Sequence, residues 1–541
     1  MSDTEANQTN TLPGLLRRNA LTLADKTAIR EKRHGIWQGT GWAEHYDATL
    51  ALARGLAALG FARGDRLAVI GDNRQVLYRA QLAAMALGGA VVPCWPDANS
   101  DWLIPVLADS GVSIVVAEDQ DQVEKLLDIK DRLPALREIV FTDPRGVYRD
   151  DLSYVRSVVD TVAAGAGRAV DIDSFIAAGT PDDVCLICYL TPDIGPPRAV
   201  PLTHAHLIDA ANTLRRTNDI RPTDEYFAYL PMAWVAEAVY GTALSLVVGY
   251  ACSCPEDPET ARRDLRELGP TILLAPPRIW QSLLSEIESK AAHSTPLKRW
   301  LCSNLLPAAY STIAPTRGGV LAEWLVAAPL RDQLGLGKLR WAHTGGLVMA
   351  PHVAAFFSAL GVNLREGLVL GDHRGLAAVS TDLPVPIPAA GGAESDARAI
   401  EAALCHNSYI ADAVVVGDPS GQLAALIAAE AVAVGDWAQD RSLPFTNQAE
   451  LMALTEVREL IRTQITQCNA RLPTNKRVAR YRLLKSSPAT ANVEASLSRI
   501  LQRRIALESV AGQVGGLFTD PPGEGIEILQ AAASIVREQA A

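Results

Sequence analysis

Leucines at 50, 52, 56 and 59 recur at helical spacing within residues 47–60, and Gly60 supplies a stop. The next segment, RLAVIGDN, is an apolar run that ends in a turn, the pattern of a strand buried on both faces of a parallel sheet. The theme repeats. AQLAAMALGGAVVPCWP predicts helix, glycine stop and strand, and VLADSGVSIVVAEDQ predicts the same again. Such alternation implies right-handed βαβ crossovers and an α/β body. The uncharged run from Ala238 to Cys254 is interrupted by Gly241, Thr242, Ser245, Gly249 and Tyr250. It predicts a buried helix followed by a strand rather than a membrane span. The stretch Asp193 to Pro201, with prolines at 192, 196, 197 and 201, predicts a loop.

The pattern changes after Asp372, where the chain becomes rich in proline and glycine (STDLPVPIPAAGG) and predicts a linker. The expected organisation is a large domain of βαβ layers over residues 1–385, a linker at 386–398 and a small α+β domain over 399–541. In the small domain, ARAIEAALCHNSYIADAVVVGDPSGQLAALIAAE predicts helix, strand, turn and strand, and the tail from Leu451 is expected to be mostly helical. A length of 541 residues accommodates this division.

Charge narrows the partners. With 50 Lys plus Arg against 61 Asp plus Glu, the net charge of -11 argues against a protein that grips a phosphate backbone by bulk positive charge, so no nucleic-acid partner is expected. No lysine lies between Lys130 and Lys290 or after Lys485. Eight cysteines and a polar start without a secretory pattern fit reduced thiols and a cytoplasmic location. Cys185 and Cys188 form a CxxC, but they sit in VCLICYL, a predicted buried strand in which cysteine acts as a small apolar residue; no metal site is expected there. Neither a G-x-S-x-G elbow nor an HExxH occurs, which removes support for hydrolase chemistry.

Four segments, in order, carry a resemblance: GDNRQVLYRAQLAAMALGGAVVP, YLPMAWVAEAVYG, WAHTGGLVMAPHVAAFFSALGVNLREG and SYIADAVVVGD. Together they resemble the acyl-adenylate-forming (AMP-binding) synthetases, most closely bacterial long-chain acyl-CoA synthetases. That resemblance implies a large synthetase-like domain with a small C-terminal one. It also implies chemistry in which ATP and a carboxylic acid give an acyl-adenylate, followed by transfer to coenzyme A. Each requirement of that chemistry can be compared with a position in this chain.

The family's phosphate loop, Y-T-S-G-T-T-G-x-P-K-G, is matched by Tyr189, Leu190, Thr191, Pro192, Asp193, Ile194, Gly195, Pro196, Pro197, Arg198 and Ala199. Pro192 deletes an N–H that could face an anion and fixes φ. Leu190 and Ile194 delete hydroxyls, and Asp193 brings a carboxylate toward the triphosphate position, where like charges repel. Thr191, Gly195 and Arg198 are the retained features that favour phosphate. Gly345 and Gly346 match glycines that let adenine approach the backbone; a plain turn pair explains the same letters. Asp372 matches a Mg2+-linked carboxylate but is one methylene shorter, and a loop cap explains it equally. Its neighbours Leu368 and Gly371 lack the family's stacking ring and hydroxyl.

Gly391, the first of the glycine pair that opens the C-terminal region, comes only 19 residues after Asp372, so the resemblance implies that the family's connecting β-rich subdomain is deleted. No TGD segment occurs to hold a ribose. The family's C-terminal lysine is matched by Ser498, or by Arg499 in a register one residue along. Trp234 and Glu237 fall in the family's LPLAW-x-x-E segment, which implies an aromatic beside the acyl channel; a core tryptophan is the competing reading for Trp234. The departures imply a degenerate synthetase, catalytically impaired or inactive, with a binding, scaffolding or regulatory role. A fatty acyl ligand, self-association or pairing with an active relative would follow. The alternative is an active ligase using ATP, Mg2+ and CoA through Thr191, Arg198, Asp372 and Arg499.

Overall fold

The computed structural model describes residues 10–147, 152–168, 170–190, 197–292, 323–345, 349, 351–366, 369–370, 376–377, 381–382, most of 400–484, and 526–529. The chain divides into two compact units: residues 1–276, 300–347 and 357–383 form the first, and 277–299, 348–356 and 384–541 the second.

After the helix Leu12–Thr22, the first unit forms a hairpin of β1 (Thr27–Arg33) and β2 (Ile36–Gly41). Then β3 (Arg66–Ile70), β4 (Ala90–Cys94), β5 (Ile114–Ala117), β6 (Glu138–Phe141), β7 (Val155–Ser157), β8 (Val184–Leu190) and β9 (Arg198–Thr203) build a sheet in the order β7-β6-β5-β3-β4-β8-β9. All its pairings are parallel except β8 with β9. The helices Gln75–Ala86 and Ser100–Ser110 make the crossovers from β3 to β4 and from β4 to β5. The predicted alternation is therefore present, and strands such as β4 and β5 are buried at every residue, as an apolar run without polar interruption requires.

A second sheet in the same unit recruits β10 (Glu225–Phe227), β11 (Ala251–Cys254), β12 (Ile272–Leu274), β13 (Trp341–Thr344) and β14 (Leu364–Glu366), while β15 (Val369–Leu370) and β16 (Leu376–Ala377) pair separately and β17 (Thr381–Asp382) closes one edge. Its order is β17-β14-β13-β12-β10-β11-β1-β2, with β14, β13, β12, β10, β11 and β1 successively parallel. The two sheets are tied by Arg74, directly after β3. Its guanidinium holds Glu118 Oε1 at 2.5 Å and donates to the carbonyls of Pro255 and Glu256 beyond β11. Gly71 makes this approach possible: at φ +147 it leaves Glu118 room that a Cβ would fill, lying 2.4 Å from the Glu118 Cβ.

One expectation is corrected here and one is refined. Arg198 to Pro201 is not loop but the start of β9, paired with β8 from Leu190↔Arg198 to Val184↔Thr203. Pro201 is tolerated because β9 is an edge strand, where a missing N–H costs no ladder bond on the open side. The apolar run from Ala238 does become helix and strand, but its first stretch, Ala238–Leu244, is a π-helix, followed by the helix Ser245–Val248 and then β11. Among the described residues no helix is long and apolar enough to cross a membrane.

The second unit contains β18 (Ile410–Gly417), β19 (Leu423–Ala429), β20 (Val478–Leu483) and β21 (Ile526–Ile528) in that sheet order, with helices Ala431–Asp440 and Thr455–Arg471. Val457, Ile461 and Ile465, one helical face, pack into a core with Ile427, Val434 and Tyr481. Of the described residues from Leu451 onward most are helical, in Gln448–Ala453 and Thr455–Arg471, and β20 and β21 add two strands. The linker residues 386–398 lie outside the described residues.

Candidate functional site

The carboxyl ends of β10, β12 and β13 are adjacent in the larger sheet, the edge at which open parallel sheets hold ligands. From β10 the chain runs through the LPMAW segment to Trp234, which caps the short helix Val235–Glu237 ahead of the π-helix. Trp234 is buried at 8% exposure and Glu237 at 1%.

A buried acid needs donors, and Glu237 has two. Tyr78 Oη, from the helix after β3, donates to Oε1 at 2.6 Å, and Tyr226 Oη, from β10, donates to Oε2 at 2.7 Å. Burial pushes the Glu237 carboxyl up to about 7, against the pull of the two phenols. Gly241 lies one turn on; a Cβ there would sit 2.1 Å from Glu237 Oε1 and 2.8 Å from Tyr78 Oη. Only glycine leaves the carboxylate in place.

Aromatic rings continue the cluster. Tyr226 and Tyr240 have centroids 5.7 Å apart, and Tyr240 and His343 5.5 Å. Tyr250 Oη donates to the Tyr240 carbonyl at 2.5 Å. Among the described residues Tyr240 Oη, both ring nitrogens of His343 and Thr344 Oγ1 are buried and have no hydrogen-bond partner. Burial, aided by the charge of Arg365, drives the His343 imidazole down to about 3, so it is neutral at physiological pH.

The cluster thus unites Glu237 with Tyr78, Tyr226, Tyr240 and His343, which the sequence reading missed. One signal was available: an acid inside an uncharged apolar run demands buried donors. Gly345 directly follows β13 and is buried, whereas Gly346 lies outside the described residues. Of the phosphate-loop positions, Tyr189 ends near Asp109, to which its hydroxyl donates at 2.7 Å, and Arg198 is exposed at the start of β9. Thr191, Gly195, Asp372, Ser498 and Arg499 lie outside the described residues.

Cys185 and Cys188 are buried in β8, where desolvation raises both thiols. His204 accepts from the Leu12 amide, and Thr203 and His206 form a reciprocal capping box at the helix His204–Asn218. These histidines serve structure.

The relationships of the chain agree with this architecture. The long-chain-fatty-acid–CoA ligase ACSBG1 of Bos taurus is 25% identical over 374 residues, 65% of this chain and 50% of that protein. A protein of Mycobacterium tuberculosis, fadD11, is 31% identical over 222 residues, 39% of each. The chain spans about half the length of the ligases it matches. Among solved structures, the adenylation domain of a carboxylate reductase from Mycobacterium chelonae superposes with a TM-score of 0.69 at 16% identity, covering 94% of this chain and 91% of that one. The adenylation domain of a carboxylic acid reductase from Segniliparus rugosus, solved with AMP and a co-purified carboxylic acid, gives 0.66 at 16% identity, covering 93% and 94%. These likenesses show a shared α/β fold. The profile of the AMP-binding enzyme family matches residues 16–369, and the chain belongs to that family.

Proposed function

We infer that this chain is a degenerate acyl-CoA-ligase-like protein that holds an acyl ligand and no longer activates it with ATP. The observation that carries the reading is the loop from Tyr189 to Ala199, in which Pro192 and Asp193 stand where the family presents backbone N–H groups and hydroxyls to a triphosphate. Arg198 is the one cation left in that loop, and its strand start is exposed to solvent. Loss of one electrostatic stabiliser costs roughly 10²- to 10³-fold in rate, and several losses within one unit leave little activity.

Trp234 and the Glu237 cluster support retention of the acyl half of the site. The role is then binding, scaffolding or regulation in the cytoplasm, with self-association or pairing with an active relative as the route of action. The second reading, an active ligase using ATP, Mg2+ and CoA through Thr191, Arg198, Asp372 and Arg499, draws on the ligase relatives. Thermal denaturation separates the two. A long-chain acid or acyl-CoA at about 100 times its Kd adds about 2.7 kcal/mol and raises Tm; Mg-ATP is expected to leave Tm unchanged. Strong stabilisation by Mg-ATP would contradict the reading of Pro192 and Asp193.

A further inference from the structure

An edge strand leaves one row of backbone N–H and C=O groups unpaired, and folded chains blunt such edges with prolines, charges, short strands or a covering group. Among the described sheet edges, all but one follow this rule. β9 carries Arg198 and Pro201, β7 and β21 are three residues long, and β15, β16 and β17 are two. The β18 edge is capped where the Val415 amide donates to Glu401 Oε1 at 2.8 Å. The exception is β2, six residues long (IWQGTG), with no charge and no proline, at the end of the larger sheet.

The hairpin fixes which groups of β2 face outward. His34 at φ 50° and Gly35 at φ 75° form a two-residue turn of the primed type, which closes on Arg33↔Ile36 as a hydrogen-bonded pair. Pairs alternate from there, so Lys32↔Trp37 and Arg30↔Gly39 are non-hydrogen-bonded, and the N–H and C=O groups of Trp37 and Gly39 point away from β1. Among the described residues no strand pairs with them on that side. Gln38 and Gly39 are exposed, and Ile36 is 65% exposed.

The strand is complementary to itself. An antiparallel copy related by a twofold axis at Gln38 sets Trp37 opposite Gly39 of the second copy, Ile36 opposite Thr40 and Gln38 opposite Gln38. The two Trp–Gly pairs are then the ones whose outward groups exchange hydrogen bonds. The indole covers the bare backbone of a glycine, β-branched residues meet at Ile36 and Thr40, and the two Gln38 amides donate to and accept from one another. No residue of the strand is charged, so no like charges meet. A register centred on Gly39 would instead face glycine with glycine and leave Ile36 unpaired.

We propose that the β2 edge is the docking surface for a second copy of this chain, by antiparallel pairing of the two β2 strands about a twofold axis at Gln38, which joins the larger sheets of two copies into one. The proposal gives the self-association inferred above its surface and rests on that part of the reading; it does not depend on what the acyl site holds. Roughly four ladder hydrogen bonds over so short a strand make a small interface, so the dimer belongs to the weak class with a Kd of about 1–100 μM.

Sedimentation velocity of the full chain over about 1–200 μM should show a reversible monomer–dimer equilibrium. Gln38→Lys, at an exposed position, sets two ammonium groups against each other at the axis and should weaken the dimer at least about tenfold. Gln38→Cys treated with oxidised glutathione should form an intermolecular disulfide, because the Cα atoms of non-hydrogen-bonded partners lie about 4.5 Å apart. Ile36→Cys should not, its counterpart in the other copy lying about 13 Å along the strand. The unsubstituted chain, whose described cysteines are buried or half-buried, is the control for the other thiols. A chain that is monomeric across the range overturns both self-association and this surface. A dimer that Gln38→Lys leaves intact, with no cross-link from Gln38→Cys, keeps self-association and overturns β2 as its surface.

Discussion

Replacing Glu237 by glutamine removes the carboxyl at the centre of the cluster while keeping its size. In the folded chain this carboxyl titrates at about 7, against 4.5 when unperturbed. The folded state therefore binds more protons than the unfolded state between those values, and stability falls as pH rises through the window. A difference of about 2.5 units, at ~1.4 kcal/mol each, gives about 3 kcal/mol, absent below pH 4.5 and fully present above pH 7. Glutamine cannot ionise and has no such slope. It still accepts from one tyrosine, and the other must turn its hydroxyl to accept from the amide, a pH-independent offset of about 1 kcal/mol. Asp72, raised to about 7, and His45 and His343, lowered to about 3, also shape the wild-type profile, but they cancel in the difference between the two proteins. Urea unfolding of both at a series of pH values from 4.5 to 8 should show the difference moving by about 3 kcal/mol in favour of Glu237→Gln at the alkaline end. A difference constant to within ~0.5 kcal/mol would refute the assignment of Glu237 as a buried acid held by Tyr78 and Tyr226.

Three further outcomes follow from the packing. Gly241→Ala places a Cβ against Glu237 Oε1 and Tyr78 Oη and should cost roughly 1–3 kcal/mol in thermal or urea unfolding, with a smaller cost in the Glu237→Ala background, where the clashing oxygen is gone. Lys32 is buried with Asp264 at 2.8 Å and also pairs with Glu267; Lys32→Ala leaves the buried Asp264 carboxylate without its cation, though still accepting from the Glu256 amide and the Thr260 hydroxyl, and should cost about 3–5 kcal/mol in urea unfolding. Thr203→Ala opens the capping box of the helix His204–Asn218 and should cost about 1 kcal/mol, measured by the same unfolding curves.

The alternating layers of the first unit were legible because apolar runs and glycine stops are local signals: Gly60 and Gly111 end helices where the pattern places the breaks. β9 was hidden by Pro197 and Pro201, whose usual meaning is loop; only its place at the sheet edge makes a strand acceptable. The π-helix was hidden because its extra residue per turn depends on tertiary packing, including the contact of Gly241 with Glu237 and Tyr78. Within the site, Trp234 and Glu237 were visible as parts of one segment. Their partners were not, because Tyr78 lies 159 residues from Glu237 in sequence and His343 is delivered by a distant strand. No spacing rule links residues that only sheet topology brings together.

Carboxylate-dependent exchange of pyrophosphate into ATP, run with Mg2+ over fatty, hydroxylated and aromatic acids, tests the loss of adenylation most directly. With Pro192 and Asp193 in the loop and Ser498 or Arg499 at the lysine position, the expected result is no exchange above a heat-killed control. Clear acid-dependent exchange would contradict the account and identify the chain as a working ligase.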